Sequence, residues 1–243
     1  MAHLPRIYTP AHLASGPFTL DAEQSRRLSV VARVRAGDPL RLFNGDGREW
    51  HALVETAGAR GVVVQVVEVA RQAPPEAVIV EVWLSLVRPN RFDWALEKCT
   101  EAGADVVRPL IVEHGARGEG SSAARQERWR RIVVEAAEQC GRLYLPVVEG
   151  PAGFAEVVGR YRGTLLITER GGRAWSAVVP LLPSSGPVAV AVGPEGGWSA
   201  EEMRLAASKG AITATLGPNV LRSETAAVAG VALLRATLPS AVS

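Results

Sequence analysis

Strand-length apolar stretches dominate the first 70 or so residues. Leu40-Arg41-Leu42-Phe43 runs into Asn44-Gly45-Asp46-Gly47, whose glycines suit a tight hairpin turn. Residues 49–56 and 61–69, the second rich in valine, read as further strands. One helix interrupts them. Asp21 stands where its side chain can cap the first amides, and Gln24 stands where it can reach back. The pattern predicts a small β-rich, barrel-like domain over residues 1–72. Arg71-Gln72-Ala73-Pro74-Pro75-Glu76 then breaks it with two prolines in a polar stretch, which reads as a linker.

From residue 77 to 243 the pattern alternates between strand and helix. Residues 78–84 form an apolar run of strand length, 91–102 read as a helix and 106–112 as a strand. Residues 122–139 predict a long helix with Trp129, Ile132, Val133 and Ala136 on one stripe. A short strand at Val147-Val148 precedes a helix from about Ala152. Residues 164–168, 188–192 and 212–216 read as strands. Continuously apolar strands separated by helices predict a parallel sheet covered on both faces, so the second domain is α/β.

Composition narrows the partners. Lys+Arg total 27 against 25 Asp+Glu, a formal net charge of +2, so no strong global field recruits a polyanion and any nucleic acid must be met by local patches. All the cations except Lys98 and Lys209 are arginines, which fork onto phosphate and stack on bases; a GC-rich or heat-adapted source gives the same bias. Cys99 and Cys140 form no C-x-x-C, which fits a reducing, cytoplasmic setting. His3, His12, His51 and His114 show no metal-ligand spacing, so no metal is expected. The start, MAHLPRIYTP, has no leader pattern, and prolines break the uncharged run between Arg173 and Glu195, so a soluble chain without membrane contact is expected.

The chemistry sits in glycine loops. There is no G-x-x-x-x-G-K-[ST] and no G-x-G-x-x-G after the first strand of the α/β half, which argues against P-loop and dinucleotide chemistry. Residues 115–120 are glycine-rich with the wrong spacing and read as a mobile loop. Two other loops each directly follow a strand. In Gly193-Pro194-Glu195-Gly196-Gly197-Trp198-Ser199, three glycines let the backbone approach a ligand, and Ser199 with Glu202 forms a capping box for the next helix. In Leu216-Gly217-Pro218-Asn219-Val220-Leu221-Arg222-Ser223-Glu224-Thr225, Ser223 is a natural N-cap for a helix over 224–238, and Glu224 favours its positive end. Arg222 stands just before the cap, where its side chain can meet an anion. Two such loops at neighbouring strand ends predict a ligand crevice; each alone is equally well a tight turn.

These loops resemble those of the SPOUT methyltransferases and, more narrowly, of the small-subunit (16S) ribosomal RNA uracil-N3 methyltransferases. The resemblance covers nearly the whole chain. Pro5-Arg6-Ile7-Tyr8, Arg33-Val34-Arg35-Ala36-Gly37-Asp38, Glu97-Lys98-Cys99-Thr100-Glu101-Ala102-Gly103 and the segment from Arg128-Trp129 through Glu135 to Arg142 are each similar to family segments. It implies a PUA-like barrel over 1–72, then a domain with a deep trefoil knot over 77–243. It also implies S-adenosylmethionine, held bent by Gly193, Glu195, Gly196 and Gly197 of one loop and Leu216, Gly217, Pro218, Leu221, Arg222, Ser223 and Thr225 of the other. A homodimer is implied, with 16S ribosomal RNA, free or in the assembled small subunit, as partner. Two segments depart from the family: Arg88-Pro89-Asn90-Arg91-Phe92-Asp93 replaces a frequent Gly-x-Lys, with Arg91 keeping the positive charge, and Glu169-Arg170 replaces a frequent His-Pro.

In the implied reaction, uracil N3 attacks a sulfonium methyl group. Arg222 cannot be a base, so it is expected to hold a phosphate or the developing uracil oxyanion. Glu224 is the nearest acid, although its place in the first turn also suits a purely structural role. Arg6, Arg26, Arg27, Arg33, Arg35 and Arg91 are the expected RNA contacts. Two rival readings share the loops: a SPOUT enzyme acting on transfer RNA, and a non-catalytic ribosome assembly factor.

Overall fold

A computed structural model of the chain describes residues 4–58, 61–115 and 122–239. The glycine-rich stretch at 115–120 lies outside them from residue 116 onward. The chain divides into two units. One takes in Met1–Pro75 and Ala137–Leu145, the other Glu76–Ala136 and Pro146–Val242.

The first unit contains β1 (Arg6–Tyr8), β2 (Gly16–Thr19), α1 (Ala22–Arg26), β3 (Pro39–Phe43), β4 (Arg48–Gly58) and β5 (Gly61–Gln72). They form one sheet in the order β1-β3-β4-β5-β2. The Asn44–Gly47 turn does close a hairpin, with Phe43 opposite Glu49. Val62, Val64 and Val66, at every second position of β5, are buried with Leu40, Leu42 and Leu28, which gives the sheet one apolar face. Asp21 accepts from the Gln24 amide at 2.8 Å and Gln24 returns the bond to the Asp21 amide at 3.0 Å, so the capping box forms. The helix then loosens into a π-helical turn, Arg27–Ala32, which Arg33 ends in the left-handed region at φ 53°.

Arg6 departs from its expected role. It is 9% exposed, and its guanidinium donates to Glu49 and to the backbone carbonyls of Ala137 and Arg142, lying 3.7 Å over the Phe43 ring. A planar fork of donors suits such a ring of acceptors, and burial turns it toward them rather than outward. Glu138 completes the knot of contacts: it accepts from the Tyr8 amide at 2.9 Å and pairs with Arg27 at 2.7 Å. Arg26, Arg33 and Arg35 are exposed, as an RNA-facing role requires.

The second unit contains β6 (Val78–Ser85), α2 (Pro89–Ala102), β7 (Val106–Ile111), α3 (Ala123–Cys140, whose last turn belongs to the first unit), β8 (Val147–Val148), β9 (Ala152–Gly153), α4 (Phe154–Arg160), β10 (Thr164–Arg173), α5 (Trp175–Val178), β11 (Gly186–Val192), α6 (Ala200–Ser208), β12 (Ile212–Ala214) and α7 (Ser223–Thr237). All strand pairings are parallel, in the order β12-β10-β11-β6-β7-β8, with β9 beside β7. β6 and β11 are buried at almost every position, as a sheet covered on both faces requires. No helix of the described residues is long and apolar enough to cross a membrane.

Cys99 is buried in α2, where desolvation pushes its thiol up to about 12, while Cys140 is exposed. The native protein is therefore expected to react with a thiol reagent at Cys140 alone, and at both cysteines after unfolding. Mass mapping of the labelled peptides checks this.

Candidate active site

β11 and β12 are not adjacent. β10 lies between them, so the two glycine loops flank its carboxyl end. That corrects the expectation of neighbouring strands and brings a third segment into the site: Thr168, Glu169 and Arg170 line the cleft between the loops. The cleft has a volume of about 400 Å³. The first loop contributes Gly193, Pro194, Glu195, Gly197 and Trp198; the second contributes Thr215, Leu216, Gly217, Asn219, Val220, Leu221, Arg222 and Ser223. Among the residues expected to hold a cofactor, Gly196, Pro218 and Thr225 stand off this lining. A Cβ at Gly196 would come within 3.0 Å of the His114 Cβ, so this glycine is bare to fit the turn after β7.

The loops are tied together. Ser223 Oγ donates to the Gly193 carbonyl at 2.7 Å. Ser223 was expected as the N-cap, but α7 begins at Ser223 and Arg222 takes the cap position with extended backbone and no side-chain capping bond. The hydroxyl is used between loops instead. Trp198 Nε1 donates to the Thr168 carbonyl at 3.2 Å, which fixes the first loop to β10. The Ser199–Glu202 capping box forms, with bonds of 3.2 and 2.8 Å, and the other Glu202 oxygen accepts from the Glu113 amide at 3.0 Å. Ser199→Ala is expected to cost about 1 kcal/mol, read as a fall in thermal midpoint.

Gly217 has φ +133°, and a Cβ there would meet no atom within 4 Å. Its bareness answers to backbone conformation and to open space rather than to a neighbouring side chain. Val192, Trp198, Leu216 and Leu221 give the cleft apolar walls. Apolar walls with uncovered peptide groups suit a flat heteroaromatic ligand carrying a polar tail.

Charge surrounds the cleft unevenly. Arg222 is exposed; its carbonyl accepts from the Ala226 amide at 2.8 Å, but its side chain makes no hydrogen bond or ion pair among the described residues. Arg91, in the first turn of α2, is held by two carboxylates: Glu195 Oε1 at 2.6 Å from Nη1 and Glu224 Oε1 at 3.6 Å from Nε. That ties Arg91 to Glu195, which lines the cleft, and leaves its side chain 28% exposed. Glu224 is buried, and its second oxygen, Oε2, has no hydrogen-bond partner. Trp198 and Thr168 were missed in sequence. Trp198 directly follows the loop glycines, and Thr168 ends a run that reads as a strand, so both carried a usable signal.

Known proteins share this fold. An RNA methyltransferase domain model matches residues 74–235, and an RNA methyltransferase PUA domain model matches residues 31–67. The ribosomal RNA small subunit methyltransferase E of Synechocystis is 30% identical over 240 residues, covering 96% of this chain and 78% of its own. The Mycobacterium bovis protein of that name is 32% identical over 222 residues, covering 86% and 82%. Among solved structures, the ribosomal RNA small subunit methyltransferase E of Neisseria gonorrhoeae, bound to S-adenosylmethionine, has a TM-score of 0.88 at 29% identity, covering 97% of this chain and 98% of its own. A Legionella pneumophila methyltransferase in complex with the same cofactor gives the same values. With a PUA-like domain ahead of a parallel α/β methyltransferase domain, and relatives matched over most of their length, the chain belongs to the ribosomal RNA small subunit methyltransferase E family.

Proposed function

We propose that the protein methylates the N3 atom of a uridine in 16S ribosomal RNA, using S-adenosylmethionine. The observation that carries this reading is the glycine-walled cleft at the ends of β10, β11 and β12. It is supported by relatives of the same fold that are solved with that cofactor. The bare peptide at Gly217 and the apolar walls fit an adenosine with a polar tail. The cofactor-holding set is Gly193, Glu195 and Gly197 with Leu216, Gly217, Leu221, Ser223 and the backbone, not the side chain, of Arg222; Gly196, Pro218 and Thr225 shape the loops behind them. When bound, S-adenosylmethionine supplies an electrophilic methyl group.

The chain's part is then positioning, which can remove up to roughly 7–11 kcal/mol of barrier. N3 lies on the Watson–Crick edge, so the uridine must be unpaired or drawn out. Arg222 stabilises negative charge on the uracil oxygens as the N3 proton leaves. The barrel of residues 1–72 grips RNA through Arg26, Arg33 and Arg35, with Arg27 partly engaged by Glu138. The domain of residues 77–243 carries a trefoil knot and the reaction, and the active unit is a cytoplasmic homodimer acting on ribosomal RNA of the small subunit.

The test is nucleoside analysis of 16S ribosomal RNA from a deletion strain, together with labelled methyl transfer by the purified protein to small subunits and to naked RNA. Loss of 3-methyluridine in the strain and its formation in vitro are expected. An unchanged uridine methylation pattern overturns the reading.

A further inference from the structure

The proposed reaction leaves one proton unplaced. Uracil N3 carries hydrogen, and the Arg222 guanidinium cannot accept it. Two carboxylates, Glu169 and Glu195, line the cleft, and a third, Glu224, lies behind the lining beside Ser223; they are engaged differently. Glu195 is largely exposed and pairs with Arg91 at 2.6 Å. Glu169 accepts from the amide of Arg170 at 2.9 Å. Glu224 is 8% exposed, and its Oε2 is buried without a donor. His114 Nδ1 is 3.3 Å from the Gly197 carbonyl.

Buried carboxylate oxygens in folded proteins are almost always hydrogen-bonded, and leaving one without a donor is costly. An acid in the first turn that merely stabilised α7 would turn its oxygens to the free helix amides. Glu224 makes no such bond among the described residues. Arg91 draws Oε1 at 3.6 Å, which leaves Oε2 as the uncommitted oxygen. Arg222, Ser223 and Ala226, on either side of Glu224 in the chain, all line the cleft. An N–H group brought by a ligand is a donor of the kind this oxygen lacks.

Resting on the N3 reading, we propose that Glu224 Oε2 accepts the uracil N3 proton and that Arg91 is the positioning residue that aims it. The N3–H bond breaks with its electron pair left on N3, and the proton forms an O–H bond at Glu224 Oε2. The N3 pair becomes the N–CH3 bond as the pair of the donor's S–CH3 bond returns to sulfur. The Glu224 carboxylic acid then loses its proton to water. Arg91 also pairs with Glu195 of the first glycine loop, so the loop and the base are set by one side chain.

Glu224→Gln keeps the size of the side chain but cannot take a proton. It is expected to lower kcat by about 100-fold, with the KM for RNA and the calorimetric affinity for S-adenosylhomocysteine nearly unchanged. Its rate should recover toward that of the native enzyme at alkaline pH, where uridine N3 ionises unaided. It should recover likewise on transcripts carrying 5-fluorouridine, whose N3–H is more acidic. Arg91→Gln should lower kcat by about tenfold, and Arg91→Lys should restore part of it. A Glu224→Gln variant as fast as the native protein, or a slow one that neither pH nor fluorination recovers, overturns the proposal. Nucleoside analysis of the native product separates the two failures. If methylation falls on an atom other than N3, the N3 reading fails and this inference with it. If 3-methyluridine forms regardless of Glu224, only the inference fails.

Discussion

Arg222→Ala is expected to reduce methyl transfer by about 10³-fold while changing the affinity for S-adenosylmethionine by no more than about threefold. The side chain leaves the cap of α7 exposed, lines the cleft, and is bound to no carboxylate among the described residues. It therefore makes no structural contact whose loss would unfold the loop. Its positive charge stands where it can meet an anion that develops only as the base loses its proton. A donor aimed at transition-state charge contributes to kcat and little to ground-state binding. Calorimetry with the cofactor and single-turnover transfer measure the two quantities separately. A variant that transfers methyl at the native rate removes Arg222 from the reaction, and one that loses cofactor binding in proportion makes it a binding residue only.

Arg6→Met is expected to destabilise the first unit by about 3–5 kcal/mol, the cost of leaving a buried charge without its partner. Glu49 is 3% exposed and is the carboxylate Arg6 meets. The nearest other cations, Arg41 and Arg71, stand at 3.9 and 4.0 Å. The carbonyls of Ala137 and Arg142 lose their donor at the same time. Glu49→Gln in the Arg6→Met background should return part of the loss, because it removes the stranded charge. Urea unfolding of both variants reads this out. If Arg6→Met folds as stably as the native protein and loses only RNA affinity, the buried placement of Arg6 is wrong.

What the sequence disclosed was local. Asp21 with Gln24 and Ser199 with Glu202 formed the capping boxes expected of them, because such boxes depend on residues three apart. The Asn44–Gly47 hairpin and the two glycine loops were legible for the same reason. Longer-range features were hidden. Arg6 reads as a surface cation until the fold brings it to Glu49, 43 residues away, and to carbonyls 131 and 136 residues away. β10 seemed to stop at Thr168 because Glu169-Arg170-Gly171-Gly172 is polar and glycine-rich. It continues to Arg173, pairing with Ala214 after a shift in register. Gly172 permits this, since a Cβ there would fall 2.5 Å from the Ala214 backbone. Glu224 was legible as an acid near the site, but its free oxygen depends on Arg91 from another helix.

The first unit is assembled from two stretches of chain separated by more than sixty residues of the other unit. A polypeptide emerging from the ribosome as far as the Pro74-Pro75 pair lacks the carbonyls that receive Arg6 and the carboxylate of Glu138 that receives Tyr8 and Arg27. During synthesis the amino-terminal barrel thus waits, incomplete, until residue 145 has cleared the exit tunnel. A gene fragment cut at the prolines would yield a sheet with an unsealed polar socket, and any separate expression of the barrel must carry the 137–145 segment with it.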